Sequence, residues 1–101
     1  MIKFKDLDPL LHSQLRLAVI SLLMNSEAAE FTWIREQTGA TAGNLSIQIT
    51  KLKEAGYIEV EKKFRNNYPQ TLCRITSMGR EKFTEYVNAL KEYLNPDKSR
   101  I

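Results

Sequence analysis

The sequence predicts a mainly α-helical chain that carries one small β-hairpin. Apolar residues recur at helical spacing in several segments, the spacing changes to alternation in one segment only, and turn or capping residues separate the segments. At 101 residues the chain has room for a single domain, residues 1–101, with one modest core. We expect the elements to follow one another as helix 9–25, a short strand, helix 32–39, helix 42–55, hairpin 57–76 and helix 77–95.

The first helix is predicted from its start signal and its apolar content. Asp8 and Pro9 form an N-cap and first-turn pair, and the apolar pattern continues through Met24 until Asn25 and Ser26 stop it. Apolar residues lie on both sides of this helix, and we expect one core to cover only one side. The pattern therefore predicts a second partner surface on the other side, formed by Leu10, Leu17, Ile20 and Met24.

Two further helices are joined by a tight turn. Thr32 is placed to cap the first of them, and Gly39 is placed to end it. The second helix carries Leu45, Ile49 and Leu52 at spacings of four and three, which turns these side chains toward the core. Two helices in this arrangement form a helix-turn-helix.

A hairpin and a final helix complete the pattern. Alternating residues flank the turn Arg65–Pro69, and Thr76 or Ser77 is placed to cap the last helix, which ends at Asn95–Pro96. We expect the tail Asp97–Ile101 to fray. The last helix has a wide apolar stripe of Phe83, Tyr86, Val87, Leu90, Tyr93 and Leu94. A helix-turn-helix followed by such a hairpin is a winged helix-turn-helix.

The composition excludes several classes of protein. The apolar run Leu17–Met24 is far shorter than the roughly 20 residues of a membrane span, and the N-terminus has no signal-peptide core. We therefore expect a cytoplasmic protein with no membrane partner. One cysteine, Cys73, and one histidine, His12, leave no disulfide framework, zinc cluster or catalytic triad. Without a phosphate-binding glycine loop or an activated nucleophile, we expect neither an enzyme nor a cofactor.

The outward face of the third helix is a candidate DNA-reading surface. With the three apolar residues inward, the rotation of about 100° per residue turns a mostly small and polar set outward: Gly43, Asn44, Ser46, Ile47, Thr50 and Lys51. Asn44 and Ser46 suit base edges or phosphates, and Lys51 suits guanine or phosphate. Ile47 suits a thymine methyl group. The alternative is a helix face that is merely solvated.

The hairpin tip is the second candidate contact. Residues 41–76 carry six basic and three acidic side chains (+3), whereas residues 1–40 carry four basic and five acidic ones (−1). A basic tip can reach phosphates or the adjacent minor groove. The alternative is that the cations protect an exposed strand edge from aggregation. The candidate residues are Lys62, Lys63, Arg65 and Asn66 near the turn and Arg74 on the return strand.

Several stretches of the chain match a known family. They are Thr41–Ser46, Leu52, Glu54–Ile58, Lys62–Lys63, Arg65 and Arg74–Arg80, with further similarity at Leu10–Ser13, Arg16–Leu17 and Phe31. In these stretches the chain resembles the small MarR-like winged helix-turn-helix transcriptional regulators. The resemblance implies a homodimer whose first and last helices pack across a two-fold axis, with the third helix in the major groove and the wing tip at the flanking minor groove. Ile47 stands where a basic residue is common in such proteins.

Pattern and resemblance together predict sequence-specific binding of double-stranded DNA and transcriptional regulation by a homodimeric repressor. The predicted dimer interface consists of Leu10, Leu17, Ile20, Met24, Tyr86, Leu90, Tyr93 and Leu94. The alternative is a winged-helix adaptor that binds proteins, since fold alone does not separate the two. A steep fall of affinity with salt distinguishes DNA binding from an apolar protein interface.

A few residues have two interpretations each. Cys73 is expected to be a small buried side chain, the alternative being a redox-sensing thiol. His12 is expected to be a partly buried polar residue near the dimer surface, the alternative being a pH sensor. Trp33, Tyr86 and Tyr93 are expected in the core or an interface, the alternative being a ligand pocket. The sequence identifies no small-molecule effector.

Overall fold

The computed structural model describes residues 4–96, and within this range the chain forms four helices and a three-stranded antiparallel sheet. They follow one another as α1 (Gln14–Met24), β1 (Ala29–Glu30), α2 (Phe31–Thr38), α3 (Ala42–Glu54), β2 (Ile58–Arg65), β3 (Tyr68–Ile75) and α4 (Ser77–Leu94). This is the mainly α winged helix-turn-helix that the sequence predicts. The tail 97–101, predicted to fray, lies outside the described residues.

The first helix begins later than predicted. Asp8 and Pro9 open a turn instead, in which Oδ1 of Asp8 accepts a hydrogen bond from the Leu10 amide at 2.9 Å. The Asp8 carbonyl accepts from the amides of Leu11 and His12 at 3.1 and 2.8 Å. The predicted start at residue 9 is therefore wrong, because a side-chain oxygen followed by proline satisfies the amides of a turn as well as those of a helix.

Helix α1 lies at the centre of the core and is covered on both sides. It packs against α2, α3, β3 and α4, and Val19, Ile20 and Leu23 are fully buried. The prediction that Ile20 faces a partner subunit is wrong, because the neighbouring elements of the same chain cover it. A helix that is apolar all round is a buried helix, so its second apolar side did not require a second subunit.

The other elements end within one residue of their predicted limits. Helix α2 begins at Phe31, with Glu30 at the N-cap and no side-chain cap, so the prediction that Thr32 caps it is wrong. Gly39 ends α2 at a φ of +70°, a left-handed conformation that glycine adopts without strain. Trp33 is 40% exposed and therefore does not lie in the core.

Strand β3 is the middle strand of the sheet, whose order is β1-β3-β2. The short β1 pairs only with Leu72 and Cys73, so it extends the predicted two-stranded hairpin to three strands at its base. Cys73 is buried there, and burial raises the pKa of its thiol to about 11. A thiol that stays protonated at neutral pH is a weak nucleophile, which favours the interpretation of Cys73 as a core side chain.

The hairpin of β2 and β3, which we call the wing, meets α4 at a tightly packed junction. The junction is formed by Gly56, Tyr57, Thr76 and Gly79. The hydroxyl of Thr76 accepts a hydrogen bond from the Gly79 amide at 3.0 Å and donates to the Gly56 carbonyl at 2.7 Å. The Thr76 amide donates to the Tyr57 carbonyl at 3.0 Å. The backbone at the start of the wing therefore packs directly against the first turn of α4.

The phenol of Tyr57 ties the junction to the N-terminal segment. Its hydroxyl donates a hydrogen bond of 2.5 Å to Oδ2 of Asp8. Burial raises the pKa of Tyr57, and the hydrogen bond to Asp8 raises it further. The turn that precedes α1 is thus held against the beginning of the wing.

Candidate nucleic-acid interface

Helix α3 presents one apolar and one polar face, as its spacing predicts. Leu45 and Leu52 are fully buried, and Ile49 is nearly so. Ile47 is 56% exposed, although its side chain is apolar. The structure places all six outward candidates on the exposed surface: Gly43, Asn44, Ser46, Ile47, Thr50 and Lys51.

The N-terminal end of α3 is held by a cap and by a hydrogen-bond relay from α1. The hydroxyl of Thr41 accepts from the Asn44 amide at 3.1 Å. Arg16 donates to the Leu10 carbonyl and to Oε1 of Gln48, and Nε2 of Gln48 donates to Oδ1 of Asn44 at 3.0 Å. The side chain of Asn44 is therefore oriented by two residues that the sequence did not indicate. The spacing of four between Asn44 and Gln48 was the available signal.

The wing tip, residues 61–69, is exposed along its whole length. Asn66 and Asn67 have φ values of +52° and +66°, as the two central residues of a type I′ turn require, and this turn matches the twist of a hairpin. Because β1 pairs only at residues 72 and 73, the wing tip is a two-stranded ribbon that projects from the sheet. It carries the cations Lys62, Lys63 and Arg65.

A cleft of about 270 Å³ separates α3 from the wing. Ser46, Thr50 and Lys53 line it from α3, and Val60 and Lys62 line it from β2. Two lysines from different elements thus flank one cleft beside the outward face of α3. The sequence analysis did not include Lys53, because the predicted outward-facing residues of α3 ended at Lys51. Lys51 and Lys53 both lie in the last turn of α3, where the helix dipole favours cations.

Arg74 lies at the base of the hairpin, opposite Glu59, and not near the wing tip. Its guanidinium is 2.8 Å from Oε1 of Glu61. The hydrogen bond from Arg74, with a further contribution from the charge of Lys63, holds the pKa of the Glu61 carboxyl below its ordinary value. The prediction that Arg74 contacts DNA did not anticipate this carboxylate partner, which partly neutralises the cation.

The comparison with known families decides the class of protein. A family model described as a winged helix DNA-binding domain matches residues 15–94. The chain belongs to this family. Uncharacterized protein MJ0432 of Methanocaldococcus jannaschii is 33% identical over 76 residues, which cover 75% of this chain and 83% of that protein.

Solved structures of other proteins superpose on the chain. A transcriptional regulator homologue protein from Pyrococcus horikoshii OT3 superposes with a TM-score of 0.80 at 27% identity, over 85% of each chain. Bacillus subtilis PadR, solved in complex with operator DNA, superposes with a TM-score of 0.66 over 74% of this chain and 48% of PadR. At 14% identity the likeness to PadR shows the fold alone. The protein is a DNA-binding transcriptional regulator of the winged-helix type.

Two further observations concern the described residues of this winged-helix protein. Within residues 4–96, no helix combines the length and the apolar content that a membrane span requires. The same part of the chain brings together no three His, Cys, Asp or Glu side chains that could hold a metal ion.

The residues of the predicted dimer interface differ in their burial within the single chain. Tyr86 is buried in the core, so its assignment to the interface is wrong: the N-terminal segment covers it. Its hydroxyl lies 2.9 Å from Nδ1 of His12. His12 itself is exposed, so the prediction that it is partly buried is also wrong.

The C-terminal end of α4 remains open to solvent. Leu94 is 78% exposed and Tyr93 is 42% exposed. The ring of Tyr93 stacks on Phe4 with 4.6 Å between centroids, and its hydroxyl donates to the Lys5 carbonyl at 2.9 Å. Other members of the predicted set are only partly buried: Leu10, Leu17, Met24 and Leu90. Tyr93 and Leu94 thus leave apolar surface exposed at the C-terminal end of α4.

Proposed function

We propose that this regulator recognises a specific double-stranded operator by placing α3 in the major groove and the wing tip at the neighbouring minor groove. The observation that carries the proposal is the cleft between the two elements. The exposed face of α3 and the cationic ribbon flank this cleft together, with Lys53 on one wall and Lys62 on the other. A duplex on this side meets both elements, which is how winged helix-turn-helix domains combine base and backbone contacts.

The outward residues of α3 divide by chemistry. Asn44 and Ser46 offer hydrogen bonds to base edges, and Ile47 offers a methyl-sized apolar contact to thymine. Thr50 and Lys51 reach bases or backbone, and Gly43 permits close approach of the helix. At the wing tip Lys62, Lys63, Arg65 and Asn66 contact phosphates and the minor groove edge.

The regulator acts as a homodimer in this proposal. The apolar surface at the end of α4, with Tyr93 and Leu94 exposed, packs against its copy together with Leu10, Leu17, Met24 and Leu90. A two-fold dimer reads a pseudo-palindrome, with the two α3 helices one DNA turn, roughly 34 Å, apart. Occupying such an operator in the cytoplasm represses transcription by occlusion.

The docking is tested by reversing one charge on α3. Double-stranded fragments bound by the wild-type protein are first selected from a random pool, and the recovered duplex is titrated with Lys51→Glu. We expect a loss of affinity of about a hundredfold or more, because a base or phosphate contact becomes a repulsion in each half-site. Lys82→Glu is the matched control, since Lys82 lies on α4 outside the proposed DNA-contacting and dimer-contacting residues and the charge change is the same.

The control separates local contact from net charge. Lys82→Glu should bind the duplex as the wild type does, and both variants should keep the circular dichroism of the wild type. Unchanged affinity of Lys51→Glu would contradict the placement of α3 in the major groove. Wild-type affinity should also fall steeply with added salt, because bound phosphates release counterions. A weak salt dependence would favour the protein-binding adaptor.

The dimer is tested separately with Leu94→Glu. Leu94 is mostly exposed in the single chain, so the charge should leave the fold intact while disfavouring an apolar contact with a second copy. We expect sedimentation to show a wild-type dimer and a monomeric variant whose operator affinity is reduced. A wild-type monomer at micromolar concentration would contradict the homodimer and, with it, the recognition of a pseudo-palindromic operator.

A further inference from the structure

The wing tip carries two aromatic side chains that are mostly exposed to solvent and therefore do not belong to the core. Phe64 is 77% exposed and Tyr68 is 75% exposed. Single exposed apolar residues are common on protein surfaces, but a phenylalanine on a projecting two-stranded ribbon lies where Lys, Pro or a short edge would ordinarily limit aggregation. The exposure of Phe64 at this position therefore indicates that its ring contacts another molecule.

The strand register places the two rings on opposite faces of the ribbon. Phe64 pairs with Pro69, and Tyr68 pairs with Arg65; directly opposed residues share a face, and neighbours along a strand alternate. Val60 and Lys62 line the cleft beside α3, and Phe64 continues their row. Phe64 thus lies on the ribbon face that is turned toward α3, whereas Tyr68 lies on the other face.

The charge around the rings identifies the partner. Lys62, Lys63 and Arg65 surround Phe64 along the strand, and no acidic residue lies between Lys62 and Gln70. A matching partner surface has an apolar interior, which contacts the ring, and an anionic rim, which contacts the cations. The minor groove of a duplex has this character, since the base stack lies between two rows of phosphates.

We propose that Phe64 inserts its ring from the minor groove into a base step beside the α3 contact and bends the operator there. The inference rests on the proposed docking of α3 and the wing. Apolar wedges of this kind partly unstack one base step and kink the duplex toward the major groove. The cations beside Phe64 hold the flanking phosphates, and Pro69, its cross-strand partner, adds a second apolar surface at the same position. The ring of Tyr68 lies on the other face of the ribbon, together with Lys63 and Arg65, whose longer side chains reach the phosphates, and it is not required for the wedge.

The experiment uses the full chain and the duplex selected with the wild-type protein. Fluorophores at the duplex ends report bending by energy transfer, and 2-aminopurine placed at the steps beneath the wing reports unstacking. The variants are Phe64→Ala, Phe64→Leu and Tyr68→Ala, all at exposed positions where the free energy of unfolding should change by about 0.5 kcal/mol or less.

We expect Phe64→Ala to abolish the bend and the 2-aminopurine signal and to lower the affinity about tenfold. Phe64→Leu should preserve the bend because leucine also serves as a wedge, and Tyr68→Ala should stay within about twofold of the wild type. A wild-type complex without a bend, an unchanged bend in Phe64→Ala, or an equal loss in Tyr68→Ala overturns the wedge. Failure of the wild type to select any duplex would instead overturn the proposed docking.

Discussion

The junction of Gly56, Tyr57, Thr76 and Gly79 and the wing tip of residues 61–69 lie at opposite ends of the same hairpin. At the junction, backbone atoms of two elements are in contact, and the Thr76 hydroxyl makes hydrogen bonds in both directions. At the wing tip every residue is exposed. Strands of eight residues, roughly 25 Å long, run from the junction to the turn at Asn66–Asn67.

This difference separates stability from recognition within one element. Side chains at the junction are fixed by neighbours in the same chain, so a change there alters the free energy of unfolding. Side chains at the wing tip have few neighbours, so a change there leaves that free energy nearly unchanged and alters what the protein binds. Variants along the hairpin should therefore show a gradient from one behaviour to the other.

The largest effect on stability is expected for Gly79→Ala. A Cβ at this position would overlap the Tyr57 carbonyl oxygen and lie 2.8 Å from Cγ1 of Ile75. The backbone would have to move, at a cost of about 3 kcal/mol. Urea unfolding should show a lower midpoint with an unchanged slope.

Gly43→Ala is the matched control for this substitution. It adds the same methyl group to a helix, with nothing within 4 Å of the new Cβ, and should raise the stability by about 0.5–1 kcal/mol. Equal stability of the two alanine variants would contradict the close packing at the junction.

An intermediate effect is expected for Thr76→Ala. The variant loses the cap of α4 and the hydrogen bond to the Gly56 carbonyl, for a destabilisation of about 1–2 kcal/mol. Thr76→Ser keeps the hydroxyl and should recover most of this loss, as measured by thermal or urea unfolding. If serine were as destabilising as alanine, the methyl group and not the hydroxyl would be the stabilising part.

The smallest effect on stability is expected for the double variant Lys63→Ala/Arg65→Ala. Both side chains are exposed, so the free energy of unfolding should change by about 0.5 kcal/mol or less. Operator affinity should nevertheless fall, and the slope of log affinity against log salt should decrease by about two per protomer. An unchanged slope would mean that these cations do not neutralise phosphates.

The sequence was sufficient where local pattern alone determines structure. Leu45, Ile49 and Leu52 define the inner face of α3 by spacing, so the exposed outer face followed directly. Glycine at positions 39 and 56 marked helix ends because both adopt positive φ. The hairpin turn followed from Asn66–Asn67, the residue type that tolerates left-handed backbone.

The sequence was insufficient where tertiary neighbours decide. Ile20 and Tyr86 were assigned to an interface because periodicity does not show that other elements of the chain surround them. The carboxylate partner of Arg74 was not anticipated because it depends on the strand register. Phe64 went unnoticed because alternation does not show that the hairpin projects beyond the sheet.

The relay from Arg16 through Gln48 to Asn44 has a consequence for redesign. The orientation of the amide of Asn44 is set from α1, a helix whose other residues between Leu15 and Met24 are wholly or partly buried. Holding that amide in place before binding reduces the entropy lost on contact by about 0.5–1.5 kcal/mol. Transplanting the outer face of α3 into another scaffold would therefore transfer the base-contacting side chains without the hydrogen bonds that orient Asn44. Arg16 and Gln48 would have to be transplanted with them.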